Sequence, residues 1–389
     1  MTDSKVYAIG DCIISPLGYT SEQTYKAIVN GESKLELHCG TFDLPQPFFG
    51  SIFERDSLDS EFYSETGTDN NILYSTVEKA AILAAMRAIR NASIDPAADN
   101  VIFVISSTKG NISKASGGLM PNDESPYVWS SSNRIAQFFG NKNKPVTVSL
   151  ACTSGIVAQI AAMRALKYGG SNGTQYKYAV VIGAEELSKF IISGFQSFRA
   201  LSTERCMPFD KDRKGLNLGE SAAAIVYTIG TDIPKNSLVM QSGAIRNDAN
   251  HISAPSRTAE GLCRAISALN ADKEKISFIN AHGTATLYND DMESVSIERS
   301  GWSNIPVNSL KGYLGHTLGA AGVVETILSC YAVRNGVILP CKGTVTPGTV
   351  GQINPCMELT VQSMSHKNCF VKLISGFGGS NAAALFQVL

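Results

Sequence analysis

The chain alternates between short apolar runs and longer amphipathic stretches. The short runs are rich in β-branched residues, which is typical of interior strands covered on both faces. The longer stretches carry apolar residues and alanines on one side, which predicts helices packed against a sheet. The predicted strands cover residues 6–14, 101–105, 146–148, 178–183, 222–227, 238–244, 276–280, 357–361, 370–375 and 382–388. The predicted helices cover residues 21–29, 71–94, 127–139, 156–166, 258–269, 289–299 and 318–334.

Strands and helices alternate in both halves of the chain, which favours a layered α/β fold. The 389 residues are enough for two domains or one large duplicated fold. We expect an N-terminal part over residues 1–235 and a C-terminal part over residues 236–389. Residues 31–70 are mostly polar and are predicted to form a loop.

Charge and cysteine content narrow the class of protein. The formal net charge of −1 gives no general reason to expect a nucleic-acid partner. The nine cysteines form no CxxC pair, so the usual zinc-site and redox-pair spacings are absent. Their odd number and wide scatter suit a reducing compartment. No apolar run has the length of a membrane span, and the first residues lack a secretory pattern, so we expect a cytoplasmic location.

Residues 147–162 (TVSLACTSGIVAQIAA) predict a short strand that turns sharply into a helix. The small residues around Cys152 allow a tight turn and the close approach of another group. Cys152 is therefore expected at or just before a helix N-terminus, where free N–H groups and the helix dipole favour a thiolate. A thiolate can attack a carbonyl carbon, whereas the alternative is an inert buried cysteine.

Two histidines follow predicted strands in glycine-rich surroundings, His282 and His316. Either one alone is compatible with a satisfied core side chain. The glycines around His316 lack GxGxxG or GK[ST] spacing, so they do not indicate a nucleotide loop. A further flexible run, residues 374–381 (ISGFGGSN), follows a predicted strand and could bring backbone N–H groups close to an oxyanion.

These pieces occur in a fixed order, and together they closely resemble the β-ketoacyl-acyl-carrier-protein synthases of the Cys-His-His type. The loop at residues 208–220 also matches that family, and the resemblance covers nearly the whole chain. The motifs that carry it are Ala151-Cys152-Thr-Ser-Gly, His282-Gly-Thr284-Ala-Thr286, Lys311-Gly-Tyr-Leu-Gly-His316 and Gly376-Phe377-Gly378-Gly379. The resemblance implies an α/β thiolase-like fold, with two duplicated halves in a five-layer α-β-α-β-α sandwich and the active site between them.

The same resemblance assigns the catalytic side chains. Cys152 would take an acyl group from the phosphopantetheine of an acyl carrier protein, with its pKa lowered by the helix dipole. His282 and His316 would stabilise the enolate that forms when a malonyl group loses CO2. Lys311 would pair with Glu325 and orient His316.

Binding residues and partners are implied in the same way. Thr284 and Thr286 would hydrogen-bond the pantetheine arm, and the N–H groups of Cys152 and Phe377 would form an oxyanion hole. Phe377, followed by Gly378, would gate the malonyl pocket. No metal and no bound cofactor is expected, because phosphopantetheine arrives on the acyl carrier protein. The family is usually homodimeric, although a heterodimer stays open.

Lys109 departs from the family pattern, because the fatty-acid enzymes have small and apolar residues where this lysine lies. At the end of the acyl pocket, a charged side chain would be poorly suited to contact a saturated chain. Alternatively, Lys109 could extend to solvent or to a dimer interface. The departure favours a specialised synthase for polyene or polyketide chains. For docking of an acidic carrier protein the candidates are Arg199, Arg205 and Lys214, which could equally be solvated surface charges.

Three alternatives compete with an active synthase. A chain-length-setting partner subunit of a heterodimer would keep the fold and lose the cysteine, whereas Cys152 is present. A thiolase would carry a second cysteine in the C-terminal glycine-rich segment, where Phe377 lies, and Cys369 comes too early. An initiating synthase would have asparagine in place of His316.

Overall fold

The computed structural model describes residues 4–68, 73–115, 118, 122–170, 173–362 and 367–389. The strands are β1 (Lys5–Ile14), β2 (Glu36–His38), β3 (Phe48–Ser51), β4 (Val101–Ser106), β5 (Val146–Val148), β6 (Tyr178–Glu185), β7 (Leu218–Gly219), β8 (Ser221–Gly230), β9 (Leu238–Asn247), β10 (Ile276–Asn280), β11 (Pro306–Asn308), β12 (Val337–Ile338), β13 (Asn354–Pro355), β14 (Thr360–Val361), β15 (Cys369–Gly376) and β16 (Ser380–Val388). The helices are α1 (Ser21–Val29), α2 (Arg55–Thr66), α3 (Thr76–Ala92), α4 (Val128–Phe138), α5 (Ser154–Tyr168), α6 (Lys189–Ser197), α7 (Glu260–Ser267), α8 (Leu287–Arg299), α9 (Lys311–Leu314) and α10 (Ala321–Arg334).

The main strands form two runs with the same topology. The N-terminal run has the order β5-β4-β6-β8-β1, and the C-terminal run has the order β11-β10-β15-β16-β9, with β13 added outside β11. In each run the first three strands are parallel, and the last two continue antiparallel. This repeat is the internal duplication that the resemblance implied. Residues 235 and 236 lie in the connection between β8 and β9.

Helices cover both faces of each run. α5 and α10 contact each other and strands of both runs, so they form a central helical layer. α3 packs outside β1, β8 and β6, and α7 packs outside β16 and β9 with α8 beside it. The five-layer α-β-α-β-α sandwich is therefore confirmed. The two runs also join at one edge, where Val6 and Tyr7 of β1 pair with Met240 and Val239 of β9.

The two central helices pack backbone against backbone. A Cβ on Gly322 of α10 would come within 2.5 Å of the amide nitrogen of Ile156 in α5, and a Cβ on Gly155 would come within 3.0 Å of Gly322. Gln159 of α5 donates to the carbonyl of Gly322 at 3.0 Å, and it accepts from Tyr227 at 2.8 Å. Glycine is therefore required here for close approach.

Two expectations about secondary structure are wrong. Residues 31–70 do not form a loop throughout, because they contain β2, β3 and α2. α2 is polar and buries only Leu58 and Phe62, which is a weak periodic signal. The strand expected at residues 357–361 is reduced to β14.

The ends of several other elements shift. α3 begins at Thr76 after a capping box of Ser75 and Glu78, and residues 71 and 72 of the helix predicted there lie outside the described residues. Over the part of the chain that the structure describes, none of the helices is both long and apolar enough to cross a membrane.

Substituting Gly322→Ala is expected to destabilise the protein by about 1–3 kcal/mol, because the methyl group collides with the α5 backbone. Gly194→Ala in α6 is the matched control, since a Cβ there meets nothing within 4 Å. The control should be neutral or stabilising by up to about 1 kcal/mol. Denaturant unfolding of both variants measures the difference, and equal stability of the two would contradict the packing described.

Candidate active site

Cys152 lies on a tight turn between β5 and α5. Ala151 just before it has a positive φ of 45°, and Thr153 is the N-cap of α5. The hydroxyl of Thr153 donates to the carbonyl of Leu150 at 2.6 Å, and that of Ser154 donates to the carbonyl of Ala151 at 2.6 Å. These bonds fix a strained turn, whose cost is about 1–3 kcal/mol for one residue in a rarely populated region. Cys152 is thus just before the helix, as predicted.

The expectation of a lowered pKa for Cys152 is wrong for the free protein. Burial raises the pKa of this thiol to about 12, and the charges of Lys311 and Lys109 offset only part of that effect. An enclosed sulfur loses the hydration that a thiolate needs, and this loss is the largest cause of the raised pKa. Cys152 is therefore a neutral thiol at rest.

His316 faces the sulfur directly. Its Nε2 lies 2.9 Å from Sγ of Cys152, and its Nδ1 accepts the backbone N–H of Leu318 at 3.3 Å. Burial, and then the charges of Lys311 and Lys372, hold the pKa of His316 well below its usual range. The ring is therefore neutral, and because Nδ1 is an acceptor, the ring hydrogen sits on Nε2 and points at the sulfur.

His282 lies beside His316, with ring centroids 4.8 Å apart and the planes at 82°. Burial, followed by the charge of Lys311, keeps the pKa of His282 well below its ordinary value, so this ring is neutral too. Its backbone N–H donates to Glu293 Oε1 of α8 at 2.5 Å, and the N–H of Gly283 donates to Oε2 at 2.8 Å. A carboxylate on the rigid helix thus fixes this loop.

The loop at residues 208–220 is ordered by buried charges. Asp290 of α8 accepts the N–H groups of Thr284 and Ala285, and also that of Phe209. Arg213 is 5 % exposed and donates to Asp291 at 2.6 Å. These buried charges therefore order the loop.

Behind the histidines lies a buried group of charges. Lys311 Nζ is 2.5 Å from Glu325 Oε1, the pair that the resemblance implied. A second cation, Lys372, was not predicted from the sequence, and its Nζ is 2.6 Å from Glu325 Oε2. Against the effect of burial, the two lysines hold the pKa of Glu325 below its ordinary value.

One cavity of about 410 Å³ contains most of the predicted site residues. Cys152, His282 and His316 line it together with Thr284 and Thr286, whose hydroxyls lie 2.9 Å apart. Lys311 and Glu325 do not line it but lie behind the histidines, in contact with each other. The Thr hydroxyls give the cavity a polar wall that suits the amides of an extended ligand.

The glycine-rich segment after β15 closes the cavity beside the cysteine. A Cβ on Gly376 would come within 3.1 Å of the amide nitrogen of Cys152. The ring of Phe377 lies between Phe195 and Phe198, at centroid distances of 5.7 and 5.5 Å. The N–H of Gly378 already donates to the carbonyl of Ile252 at 2.7 Å. Gly378 is therefore not a free oxyanion donor, and its part in gating stays a prediction.

The predicted docking residues and Lys109 lie at different positions relative to the cavity. Arg199 and Lys214 line the cavity, and Lys214 pairs with Glu204 at 2.6 Å. Arg205 is exposed and is not part of that lining. Lys109 is half-buried and is not part of that lining, so its role at the acyl pocket or at an interface stays a prediction.

The site could in principle also hold a metal ion. One donor atom each from Cys152, His282 and His316 lies within 4.8 Å of the others, and thiolate with imidazole is a donor set that suits zinc. Such binding would require a deprotonated sulfur and a His316 Nε2 without its hydrogen. The arrangement found is a hydrogen-bonded thiol–imidazole pair, and the expectation of no metal stays a prediction.

Comparisons with known proteins give the family. Residues 3–228 match the model of the β-ketoacyl synthase N-terminal domain, and residues 237–344 match that of the C-terminal domain. The chain therefore belongs to the β-ketoacyl synthase family. It is 27% identical to 3-oxoacyl-[acyl-carrier-protein] synthase 2 of Vibrio cholerae over 425 aligned positions, which cover 100% of both chains.

Solved structures show the same fold. One is the ketosynthase in complex with its chain length factor from Xenorhabdus doucetiae, with a TM-score of 0.81 and 23% identity over 99% of this chain and 98% of that one. Another is the ishigamide ketosynthase/chain length factor, with a TM-score of 0.83 and 22% identity over 99% of each chain.

Alkylation of Cys152 by iodoacetamide should accelerate steadily as pH rises from 6 to 10, because burial raises the pKa of its thiol to about 12. Peptide mass spectrometry resolves the rate at Cys152 from that at the exposed Cys39, which controls for reagent access. A plateau at neutral pH for Cys152 would contradict a neutral resting thiol.

Proposed function

We propose that the protein catalyses a decarboxylative Claisen condensation. An acyl group carried on Cys152 would react with malonyl-acyl carrier protein to give 3-oxoacyl-acyl carrier protein, in fatty-acid or specialised polyene/polyketide biosynthesis. The observation that carries this proposal is the juxtaposition of one nucleophilic sulfur with two neutral imidazoles in one cavity. A thiolase would need a second cysteine, whereas Phe377 occupies the glycine-rich segment.

In the first half-reaction, the sulfur of Cys152 attacks the thioester carbonyl of an acyl carrier protein. A C–S bond to Cys152 forms, the thioester C–S bond of the substrate breaks, and the proton lost by Cys152 ends on the departing pantetheine sulfur. The N–H groups of Cys152 and Phe377, on segments that touch at Gly376, would hold the oxyanion of the tetrahedral intermediate. The Nε2–H of His316 would support the negative charge on sulfur.

In the second half-reaction, the bond between the malonyl α-carbon and its carboxylate breaks, and CO2 leaves. The electron pair stays on the thioester as an enolate, whose oxygen accepts hydrogen bonds from His282 and His316. Each neutral imidazole still carries one N–H group, which can donate a hydrogen bond to the developing oxyanion. The α-carbon then attacks the acyl carbonyl, the C–S bond to Cys152 breaks, and the released thiolate takes up a proton from water.

The substrates would arrive on a carrier, so no bound cofactor is needed. Thr284 and Thr286, which line the cavity, would hydrogen-bond the amides of a phosphopantetheine arm. Arg199 and Lys214 at the same cavity are candidates for contact with an acidic carrier protein.

A division at residues 235/236 would separate the half that supplies Cys152 from the half that supplies the histidines.

Assembly and location belong to the same proposal. The usual state of the family supports a homodimer, and a heterodimer with a chain-length-setting subunit is the alternative. All nine cysteines are free, which supports a reducing cytoplasm.

Mass spectrometry of Cys152 tests the proposal. The protein is mixed with acyl-carrier thioesters of several chain lengths and then with malonyl-carrier. We expect an acyl adduct on Cys152, followed by release of a β-ketoacyl product two carbons longer. Acylation without elongation would indicate a missing partner subunit. No acylation by any donor would contradict the proposal and favour the silent chain-length-setting subunit.

His282→Ala and His316→Ala should each slow malonyl decarboxylation by about 10²–10³-fold, since each removes one donor to the enolate oxygen. Acylation of Cys152 should fall much less in His282→Ala, because His282 is the histidine not bonded to the sulfur. His38→Ala is the control, since His38 bonds the carbonyl of Gly50 and does not line the cavity. Normal decarboxylation by either active-site variant would refute the assigned roles.

A further inference from the structure

Lys372 of β15 is a fully buried lysine. It has no role in either of the half-reactions proposed above. Apart from Ser375, the other residues of β15 have apolar side chains or are glycine. A buried ammonium is unfavourable unless it is paired and hydrogen-bonded. Lys372 Nζ donates to the carbonyls of Leu373 at 2.9 Å and Ala281 at 3.1 Å, with a longer contact of 3.4 Å to Asn280. Its partners therefore include the residue directly before His282.

The peptide group that leads into His282 is held from both ends. Its carbonyl, on Ala281, accepts from Lys372 of β15, and its N–H, on His282, donates to Glu293 of α8 at 2.5 Å. Donor and acceptor come from two different elements of the C-terminal half. The plane of this peptide sets the direction in which the His282 side chain leaves the backbone.

The same ammonium also reaches the second histidine segment. It lies 2.6 Å from Glu325 Oε2, and the other oxygen of Glu325 lies 2.5 Å from Lys311. Lys311 begins the short helix α9, which ends two residues before His316. One side chain thus connects the backbone of His282 with the ion pair behind His316.

We propose that Lys372 is a positioning residue that sets His282 and His316 at the spacing needed to share one oxyanion. This inference rests on the proposed function, because the oxyanion is the enolate of the malonyl group. A displacement of about 1 Å at a reacting centre costs about 10²-fold in rate, so a single positioning contact of this kind is enough to matter.

The positive charge of Lys372 would stabilise the same enolate that its hydrogen bonds help to position. The charged groups around it are Glu325, Lys311 and Glu293, with His282 and His316 beyond them. Burial lowers the pKa of Lys372 to about 8. Its ammonium is present below that pH and is lost as pH rises through it. An enolate in its field is therefore stabilised less above pH ~8.

The test is Lys372→Met, which keeps the length of the side chain and removes its charge and donors. Malonyl decarboxylation should fall about 10²-fold, while acylation of Cys152 from acyl-carrier should change by less than about threefold. Lys79→Met is the matched control, because Lys79 is also a buried lysine in an ion pair, 2.8 Å from Asp59, on α3. Equal losses in both half-reactions, or no loss in either, would overturn the proposal.

A second measurement does not depend on activity. Histidine signals of ¹⁵N-labelled protein, assigned with His282→Asn and His316→Asn, should titrate at higher pH in Lys372→Met, because a nearby positive charge has been removed. Unchanged titration would contradict the inference even if the wild type were inactive. An inactive wild type with shifted titration would instead refute only the proposed function.

If Lys372→Met does not fold, the wild type and Lys372→Arg carry the test. The ratio of decarboxylation to acylation in the wild type should fall as pH rises through about 8. Lys372→Arg keeps its charge above that pH, so the fall should be absent or moved to higher pH. The same fall in both proteins would overturn the proposal.

Discussion

The backbone contact between α5 and α10 is the constraint on which the site depends. Cys152 precedes α5, and His316 precedes α10 by a short 3₁₀ segment. The two helices approach closely only because Gly155 and Gly322 lack side chains at the contact. The sulfur and the imidazole therefore meet at 2.9 Å because the helices are fixed, not because a loop folds over them. Duplication of the fold supplies one helix from each half.

Burial then determines the protonation states. It raises the pKa of Cys152 to about 12 and lowers those of both histidines, so these three side chains are neutral at rest. The buried charges lie behind the histidines, on Glu325 and on its partners Lys311 and Lys372. This arrangement directs the Nε2–H of His316 toward Cys152 and provides a positive field behind the two histidines. Such preorganised donors stabilise an oxyanion without the reorganisation that water would need.

The sequence was sufficient to predict those elements whose apolar pattern and residue chemistry indicate the same local structure. The buried strands, the Cys152 turn and the two histidine motifs could be predicted because each combines an apolar run with small residues. The helix α2 was missed because only Leu58 and Phe62 face the core. Lys372 was missed for a different reason: a lone lysine in a strand usually faces solvent, and its true partners depend on the register that pairs Asn280 with Lys372. That register is set by tertiary packing.

The tautomer of His316 is the most direct test of the neutral thiol–imidazole pair described here. Long-range ¹H–¹⁵N spectra of histidine-labelled protein distinguish a protonated Nε2 from a protonated Nδ1. The packing described places the hydrogen on Nε2, toward Cys152, with Nδ1 accepting from Leu318. A neutral ring with hydrogen on Nε2 across the physiological range is the predicted result. A protonated Nδ1, or an imidazolium paired with a thiolate at neutral pH, would contradict the account.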